Sequence, residues 1–166
     1  MTMRAVVKTE PVAGGGVEVC DVTVPVAGQG EVLLDVRAAG ICGTDMQIYN
    51  WAPRMARRMA LPRIMGHEVC GVVAELGPGV EGLRIGQRVA LESHIFCGLC
   101  RQCRLGQAHL CNGLRYPGID IEGGFAERVS VPAQIAVPVP DDLSDYDVAM
   151  LEPFGIAVHA SMAGTG

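Results

Sequence analysis

Four cysteines, Cys97, Cys100, Cys103 and Cys111, lie close together in the middle of the sequence. Two-residue gaps let a tight turn direct successive thiolates at one ion, and a tetrahedral zinc site needs four such ligands at roughly 2.3 Å. The alternatives are two disulfides or four unligated thiols, but an odd total of seven cysteines with four of them crowded together favours metal ligation. With four protein ligands the site has no position for water or substrate, so we expect a structural zinc.

A second set of candidate ligands is spread along the chain and comprises Cys42, His67, Glu68 and Glu152. Taken alone, a single cysteine or histidine is more often a core residue than a ligand. If Cys42 and His67 meet with either glutamate, they form a mixed sulfur, nitrogen and oxygen set that suits zinc with an exchangeable position. An open zinc site lowers the pKa of a bound alcohol, which is the activation that hydride donation requires. Thr44, two residues after Cys42, is placed to accept the hydroxyl proton.

The segment Gly77-Pro78-Gly79-Val80-Glu81-Gly82 matches the glycine pattern of a dinucleotide-binding loop. That loop works only where a helix opens at the glycines and points its N-terminus at the pyrophosphate. Here the following residues, 83–89, lead into another apparent strand. We therefore interpret the segment as a hairpin turn, and we expect no fingerprint at Gly164-Thr165-Gly166 because no strand precedes it.

Short strands punctuated by turns dominate the rest of the pattern. Glycine and proline make up about a fifth of the chain, above ordinary usage, which disfavours a helical bundle. The predicted strands are Met3–Thr9, Val17–Val24, Glu31–Ala39, Val69–Leu76, Arg88–Glu92, Ala126–Val131 and Ile135–Val139, which is typical of a β-barrel or sandwich. We expect a short helix after Thr44, an irregular lobe over Trp51–Pro62, and a helical segment from Ser144 to Met162 that Pro153 divides.

The composition narrows the class of protein. The chain has 166 residues with 13 basic and 18 acidic side chains, a formal net charge of −5, and it fits one domain or slightly more. Nucleic acid is disfavoured as a partner, because the one basic cluster, Arg54, Arg57, Arg58 and Arg63, is confined to a short segment. No stretch has the length of a membrane span, and charged residues interrupt the N-terminus, so we expect a cytoplasmic protein without a membrane partner.

These motifs resemble the zinc-containing medium-chain alcohol dehydrogenase family over essentially the whole chain. The resemblance is carried by Gly40-Ile41-Cys42-Gly43-Thr44-Asp45, Gly66-His67-Glu68, Gly77-x-Gly79-Val80, Gly86-x-Arg88-Val89, the loop 97–111 and Gly123-Gly124-Phe125-Ala126-Glu127. Within that family the segments 48–51, 93–98 and 152–159 are similar to L-threonine 3-dehydrogenases, with sorbitol and butanediol dehydrogenases as near neighbours.

The resemblance implies a mainly β fold, a GroES-like β-barrel with a few short helices and a four-cysteine zinc loop. Residues 1–150 would be the catalytic domain, and residues 151–166 would begin the helix that leads to a Rossmann domain absent from this chain. That missing domain would bind most of the NAD(P), so we expect the segment alone to be inactive. The full-length protein would be a homo-oligomer, a dimer or tetramer, that acts on a small-molecule alcohol.

By position within the family, Cys42 and His67 would be catalytic zinc ligands, and Glu68 and Glu152 would complete the coordination sphere or exchange with water and substrate. Thr44 would be the first hydroxyl of the proton relay. The four cysteines of the loop would hold the second of two zinc ions, and His94 would line the substrate pocket of threonine dehydrogenases.

Two positions depart from the family pattern. Gln47 stands where many relatives carry a relay histidine, and an amide does not titrate near neutrality. Ile156 stands where threonine dehydrogenases commonly have asparagine, which weakens the assignment of threonine relative to that of the family.

Three functions remain open from the sequence. The first is oxidation of a secondary alcohol, most like L-threonine. The second is oxidation of sorbitol, another polyol or 2,3-butanediol. The third, from another class, is a zinc-stabilised GroES-like binding module without catalysis, which would have no use for a second, open metal site.

Overall fold

The computed structural model describes residues 1–163 as a mainly β structure with short helices, so Gly164-Thr165-Gly166 lies outside the described residues. The strands are β1 (Thr2–Lys8), β2 (Val17–Thr23), β3 (Glu31–Gly40), β4 (Arg63–Ile64), β5 (Glu68–Leu76), β6 (Arg88–Leu91), β7 (Arg128–Pro132) and β8 (Ala136–Pro138). All seven predicted strands are present with ends shifted by a few residues. The two-residue β4 is the one the sequence pattern did not show.

The described strands form two antiparallel sheets. One has the order β2-β1-β4 and the other the order β7-β3-β5-β6-β8. The main core lies against the larger sheet and is built mostly from valines, which suit a pleated buried surface. Its most buried members are Val32, Leu34, Val69, Val73, Val89, Leu91, Val129, Val131 and Ile135.

The expected barrel does not close as one hydrogen-bonded ring within residues 1–163. The two sheets meet instead at an isolated bridge between Ala5 and Ala126, beside a hydrogen bond from Val6 N to Phe125 O of 2.7 Å. The strands that complete the sheets, β4 and β8, have two and three residues. Because these two strands are so short, the hydrogen bonds between strands do not continue from one sheet into the other to close a barrel.

The helices are α1 (Gly43–Tyr49), α2 (Pro53–Ala56), α3 (Arg101–Arg104), α4 (Asp145–Ala149) and α5 (Leu151–Met162). The lobe expected to be irregular thus contains α2, which begins at Pro53, a position where the missing N–H of proline costs nothing. The last segment does form two helices, but the prediction that Pro153 divides it is wrong, because the break falls at Met150, which ends α4 and precedes α5. Pro153 lies in the first turn of α5, where proline is tolerated.

The hairpin interpretation of residues 77–82 is confirmed. Val80 N donates to Gly77 O at 3.3 Å, and the chain continues into β6, which pairs antiparallel with β5. No helix opens at these glycines. Within residues 1–163, no helix is both long and apolar enough to cross a membrane.

Lys8 is the only lysine of the sequence, and its side chain is completely buried at the end of β1. Its ammonium donates to the carbonyl oxygens of Val12, Gly15 and Tyr49 at 2.7, 2.5 and 3.1 Å. The ring of Trp51 lies 5.7 Å from the ammonium, within the range of a cation–π interaction. Lys8 therefore ties β1 and the loop that follows it to the C-terminal end of α1.

We expect Lys8→Met to lower the free energy of unfolding by about 2–4 kcal/mol, because three partly buried carbonyl oxygens lose their charged donor. Arg4→Met on the same strand is the control, since Arg4 is exposed and forms one ion pair of 3.4 Å with Glu127; it should cost less than about 1 kcal/mol. Urea unfolding of the zinc-loaded protein measures both. Equal losses for the two variants would show that the carbonyl contacts of Lys8 contribute nothing.

Candidate functional site

The four cysteines of the loop converge on one point. Their sulfur atoms all lie within 4.8 Å of one another, and four of the six pairs are separated by 3.5–4.0 Å. A disulfide requires about 2.05 Å, whereas a tetrahedron with zinc–sulfur bonds of roughly 2.3 Å places its sulfurs about 3.8 Å apart. The spacing therefore fits a single tetrahedral ion and not a pair of disulfides.

Backbone N–H groups of the loop point at these sulfurs. Leu99 N and Cys100 N donate to Cys97 Sγ at 3.4 Å, and Gly113 N donates to Cys111 Sγ at 3.3 Å. The N–H groups of Leu99 and Cys100 lower the pKa of Cys97, and those of Cys103 and Asn112 lower the pKa of Cys100 to about 6. Burial and the neighbouring sulfurs instead raise the pKa of Cys103 to about 12. The backbone thus favours the thiolate forms of Cys97 and Cys100, whereas the thiolate of Cys103 needs a cation beside it.

A second convergence joins two strand ends of the larger sheet. Gly40, the last residue of β3, pairs with Glu68, the first residue of β5, so Cys42 and His67 lie just beyond the same end of that pair. Ligand atoms of Cys42, His67 and Glu68 lie within 4.8 Å of one another. The structure therefore brings together three of the four residues suggested as ligands of an open site.

Gly66 explains why His67 can approach this point. Its φ of +92° is a backbone conformation that favours glycine. A Cβ at this position would lie 2.3 Å from the ring of Phe125. The backbone before His67 therefore packs directly on the aromatic ring.

Two of the three candidate ligands are buried, and some buried polar atoms around them have no hydrogen-bond partner. His67 and Glu68 are 6% and 5% exposed, and burial raises the pKa of Glu68. Nδ1 of His67 and Oδ1 of Asp45 are buried without a hydrogen-bond partner. Buried polar atoms rarely lack partners, and a bound ion is one of the groups that satisfies them. A thiol, an imidazole and a carboxylate at this spacing form a donor set that suits zinc.

Glu152 lies close to this group but outside the ligand cluster. It is the second residue of α5, and its Oε1 accepts a hydrogen bond of 2.5 Å from Ser93 Oγ. Its negative charge raises the pKa of Glu68, so the two carboxylates are near enough to repel. Of the two glutamates, Glu68 is thus within ligand distance of Cys42 and His67, and Glu152 is held by Ser93.

A cavity of about 230 Å³ opens beside the cluster. It is lined by polar and apolar side chains, among them Cys42, Thr44, Gln47, His67, His94 and Glu152. The Thr44 hydroxyl has no hydrogen-bond partner within residues 1–163. This volume is below the roughly 300–1,000 Å³ of pockets for drug-sized ligands, so the cavity suits a small molecule.

His94 lines the same cavity, and three contacts orient its ring and backbone there. Its Nδ1 lies 2.5 Å from Glu92 Oε1, its backbone N–H donates to Glu92 Oε2, and its ring meets Tyr116 edge-on at 5.1 Å. The contact with Glu92 raises the pKa of His94, which extends the cationic form to higher pH. The cavity wall therefore contains a fixed imidazole that can donate to a substrate.

A larger, mainly apolar cavity of about 490 Å³ adjoins the first, and His94, Glu152 and Ile156 line both. It lies between α5 and strands β6 and β8. The smaller cavity beside the cluster therefore continues into the larger apolar cleft, which has room for a second, larger molecule.

Sequence reasoning missed several residues of this region. Asp45 was given no role beyond its place in the motif 40–45, but its Oδ2 accepts from Cys42 N at 2.9 Å and its side chain is buried beside His67. Arg58 and Ser93 were named only as part of a basic cluster and of a family-like segment, and Tyr116 was not named. The run Glu92-Ser93-His94 directly after β6 was the one clue available, because polar residues at a strand end often form sites.

Comparison with known proteins identifies the family of this chain. Residues 28–141 match the alcohol dehydrogenase GroES-like domain family. The chain is similar to an L-threonine 3-dehydrogenase of Pyrococcus horikoshii, with 46% identity over 162 residues that cover 98% of this chain and 46% of the relative. The chain thus spans about half the length of the curated relatives that it matches.

Solved structures show the same fold. An alcohol dehydrogenase from Escherichia coli CFT073 in complex with NADH superposes with a TM-score of 0.88 at 34% identity, over 99% of this chain and 46% of that one. A cobalt- and zinc-bound thermostable alcohol dehydrogenase from Pyrobaculum aerophilum has a TM-score of 0.81 at 33% identity, over 92% of this chain and 45% of that one. The chain therefore belongs to the alcohol dehydrogenase GroES-like domain family, within the zinc-dependent medium-chain dehydrogenases.

Proposed function

We propose that this chain is the metal-binding, substrate-binding part of an NAD(P)-dependent dehydrogenase that oxidises a small secondary alcohol, with L-threonine as the first substrate to test. The observation that carries the proposal is the convergence of Cys42, His67 and Glu68 beside a small cavity lined by the unpartnered hydroxyl of Thr44. The similarity to L-threonine 3-dehydrogenases supports the choice of substrate.

Two zinc ions per chain fit the two ligand sets. Cys97, Cys100, Cys103 and Cys111 would hold a structural ion, and Cys42 and His67 with Glu68 would hold a catalytic one, with Glu152 close enough to exchange with Glu68. Zinc at the second site supplies a Lewis acid that lowers the pKa of a bound hydroxyl group.

The residues of the chain perform the remaining tasks. The Thr44 hydroxyl oxygen accepts the hydroxyl proton of the substrate while it donates its own proton onward, and because Gln47 does not titrate near neutrality, that proton passes to water. His94, held by Glu92, donates to a polar group of the substrate. Ser93 holds the carboxylate of Glu152 at the cavity wall. Together these contacts orient the carbinol carbon toward the wider cleft.

The hydride acceptor enters from outside the small cavity. We propose residues 1–150 as the catalytic domain, with α5 as the start of the connection to the part of the protein that binds most of the NAD(P). The apolar cleft beside α5 supports this arrangement, because it adjoins the proposed substrate cavity. We further propose that the full-length enzyme is a homo-oligomer, as the family resemblance implies, and that it acts in the cytoplasm.

The substrate is tested with the full-length protein in a panel of L-threonine, sorbitol and 2,3-butanediol, each with NAD⁺ and NADP⁺. We expect the highest kcat/KM with L-threonine. A clear preference for either of the other two would transfer the assignment to a polyol or diol dehydrogenase of the same family.

Cys100→Ser should lower the zinc content of the full-length protein from two ions per chain to about one, because the hydroxyl is a poor substitute for a thiolate in a four-sulfur site. Elemental analysis after purification under metal-preserving conditions measures the ratio. Cys20→Ser is the matched control, since Cys20 lies on β2 away from both ligand sets. Substantially fewer than two zinc ions in the wild type would contradict the proposal.

Cys42→Ser should remove the other zinc ion and reduce kcat by more than the roughly 10–100-fold that follows loss of a hydrogen bond to a metal ligand. Unchanged turnover would favour the alternative of a zinc-stabilised binding module without catalysis.

Thr44→Ala should lower kcat by about 10²–10⁴-fold at unchanged zinc content, because the proton acceptor is lost. Thr44→Ser keeps the hydroxyl and should stay within about tenfold of the wild type. Steady-state kinetics of the full-length enzyme distinguish the two variants. Equal losses for alanine and serine would indicate a packing role for Thr44 instead of proton transfer.

A further inference from the structure

Two arginines line the proposed substrate cavity, Arg54 and Arg58, and among the described residues only Arg58 has an acidic partner. Arg58 forms a bidentate pair with Asp120, with Nε–Oδ1 and Nη2–Oδ2 distances of 2.8 and 2.6 Å, and also donates to Leu114 O. Its guanidinium lies 4.9 Å from the centre of the Tyr116 ring. These contacts occupy the planar fork of Arg58, so it forms a fixed wall of the cavity.

Arg54 has no such partner. Within residues 1–163 its side chain forms no ion pair and no hydrogen bond, although it lines the cavity from α2. Its guanidinium is near enough to the Tyr116 hydroxyl for its charge to oppose the effect of burial on the pKa of that group. An arginine in this position has all five N–H donors available.

The backbone of Arg54 is anchored on both sides. Pro53 begins α2, and Met55 is 2% exposed in a core cluster with Ile48, Met59, Met65 and Ile119. Arg57, which follows the same helix, is exposed like Arg54 but does not line the cavity. The fold thus holds one arginine of this segment at the cavity and leaves its neighbour outside.

The carboxylates around the cavity are already engaged. Asp120 pairs with Arg58, Glu92 with His94, and Glu152 accepts from Ser93. No acidic side chain within residues 1–163 is therefore paired with Arg54. The planar guanidinium matches the geometry of a carboxylate or a phosphate, which it binds with two parallel hydrogen bonds.

We propose that Arg54 binds an anionic group of the substrate, a carboxylate or a phosphate, while the substrate hydroxyl lies at Cys42, His67 and Thr44. This assignment rests on the proposed function, and it narrows the substrate class to small alcohols that carry a negative charge. Neutral diols and polyols would occupy the same cavity without this contact. Arg54 is thus a specificity-determining residue.

The test compares each anionic alcohol with a neutral partner of similar size, using the zinc-loaded full-length protein. L-threonine is paired with L-threonine amide, and glycerol 3-phosphate with glycerol, so that the two pairs distinguish a carboxylate from a phosphate. The variants are Arg54→Gln and, as the matched control, Arg57→Gln. Steady-state kinetics give KM and kcat, and equilibrium titration calorimetry gives Kd independently of turnover.

We expect Arg54→Gln to raise KM and Kd for one anionic compound by about tenfold or more, which is the range for a lost hydrogen bond to a charged group. The values for its neutral partner and the kcat should stay within about twofold, and Arg57→Gln should match the wild type. Equal changes for anionic and neutral compounds, or no change for either anion, would overturn the assignment.

Failure of the proposed function gives a different result. If the full-length protein oxidised none of these alcohols, the titrations would still show whether Arg54 binds the anion. Conversely, the wild type could oxidise L-threonine and its amide with equal KM. That result would support the proposed dehydrogenase activity but contradict anion binding by Arg54.

Discussion

The pairing of β3 with β5 is the constraint on which the proposed catalytic site depends. The ladder runs antiparallel from the pair Val32 and Leu76 to the pair Gly40 and Glu68. Cys42 and His67 lie just beyond its last pair, so the strand register sets the distance between a sulfur and an imidazole that are 25 positions apart in the sequence. A slip of one residue would turn every side chain to the opposite face of the sheet. The ladder also carries register shifts between Leu33 and Leu34 and between Val36 and Ala38. In the observed register Val32, Leu34, Val69 and Val73 are buried together in the main core, and a slip would lose that burial.

The same end of the sheet is also joined to the smaller sheet. Phe125, whose ring packs on Gly66 before His67, accepts a backbone hydrogen bond from Val6 of β1. At Gly40, a Cβ would lie 2.2 Å from a carboxylate oxygen of Glu68, so the glutamate can lie flat against β3 only because that residue is glycine. The position of the ligands therefore depends on the contact between the two sheets and on two close backbone approaches. This explains why Gly66-His67-Glu68 is informative as a unit, whereas a lone histidine is not.

A structural feature can be predicted from the sequence when the residues that form it are close together along the chain. The loop from Cys97 to Cys111 is closed by its own turns, so spacing alone indicated a common ion. The hairpin at Gly77–Gly82 was predictable for the same reason. Ser93 meets Glu152 across 59 residues, and Arg58 meets Asp120 across 62, so no local pattern could indicate either contact. Helix α2 was missed because its four residues are too few to show a helical period.

The two ligand sets differ in how the protein stabilises their negative charge. In the four-cysteine loop, backbone N–H groups of neighbouring residues face the sulfurs of Cys97 and Cys100, so part of the favourable field comes from the loop itself. Around Cys42 and His67 the acidic groups are buried, and burial raises the pKa of both Asp45 and Glu68, which means that their surroundings disfavour the charged forms. A cation held between these groups would offset that cost. The first set is thus a local element that stabilises its own lobe, whereas the second is costly to build and is held by the surrounding fold. A buried set of this kind, next to a cavity with a free hydroxyl, is an arrangement that structural stability alone does not require.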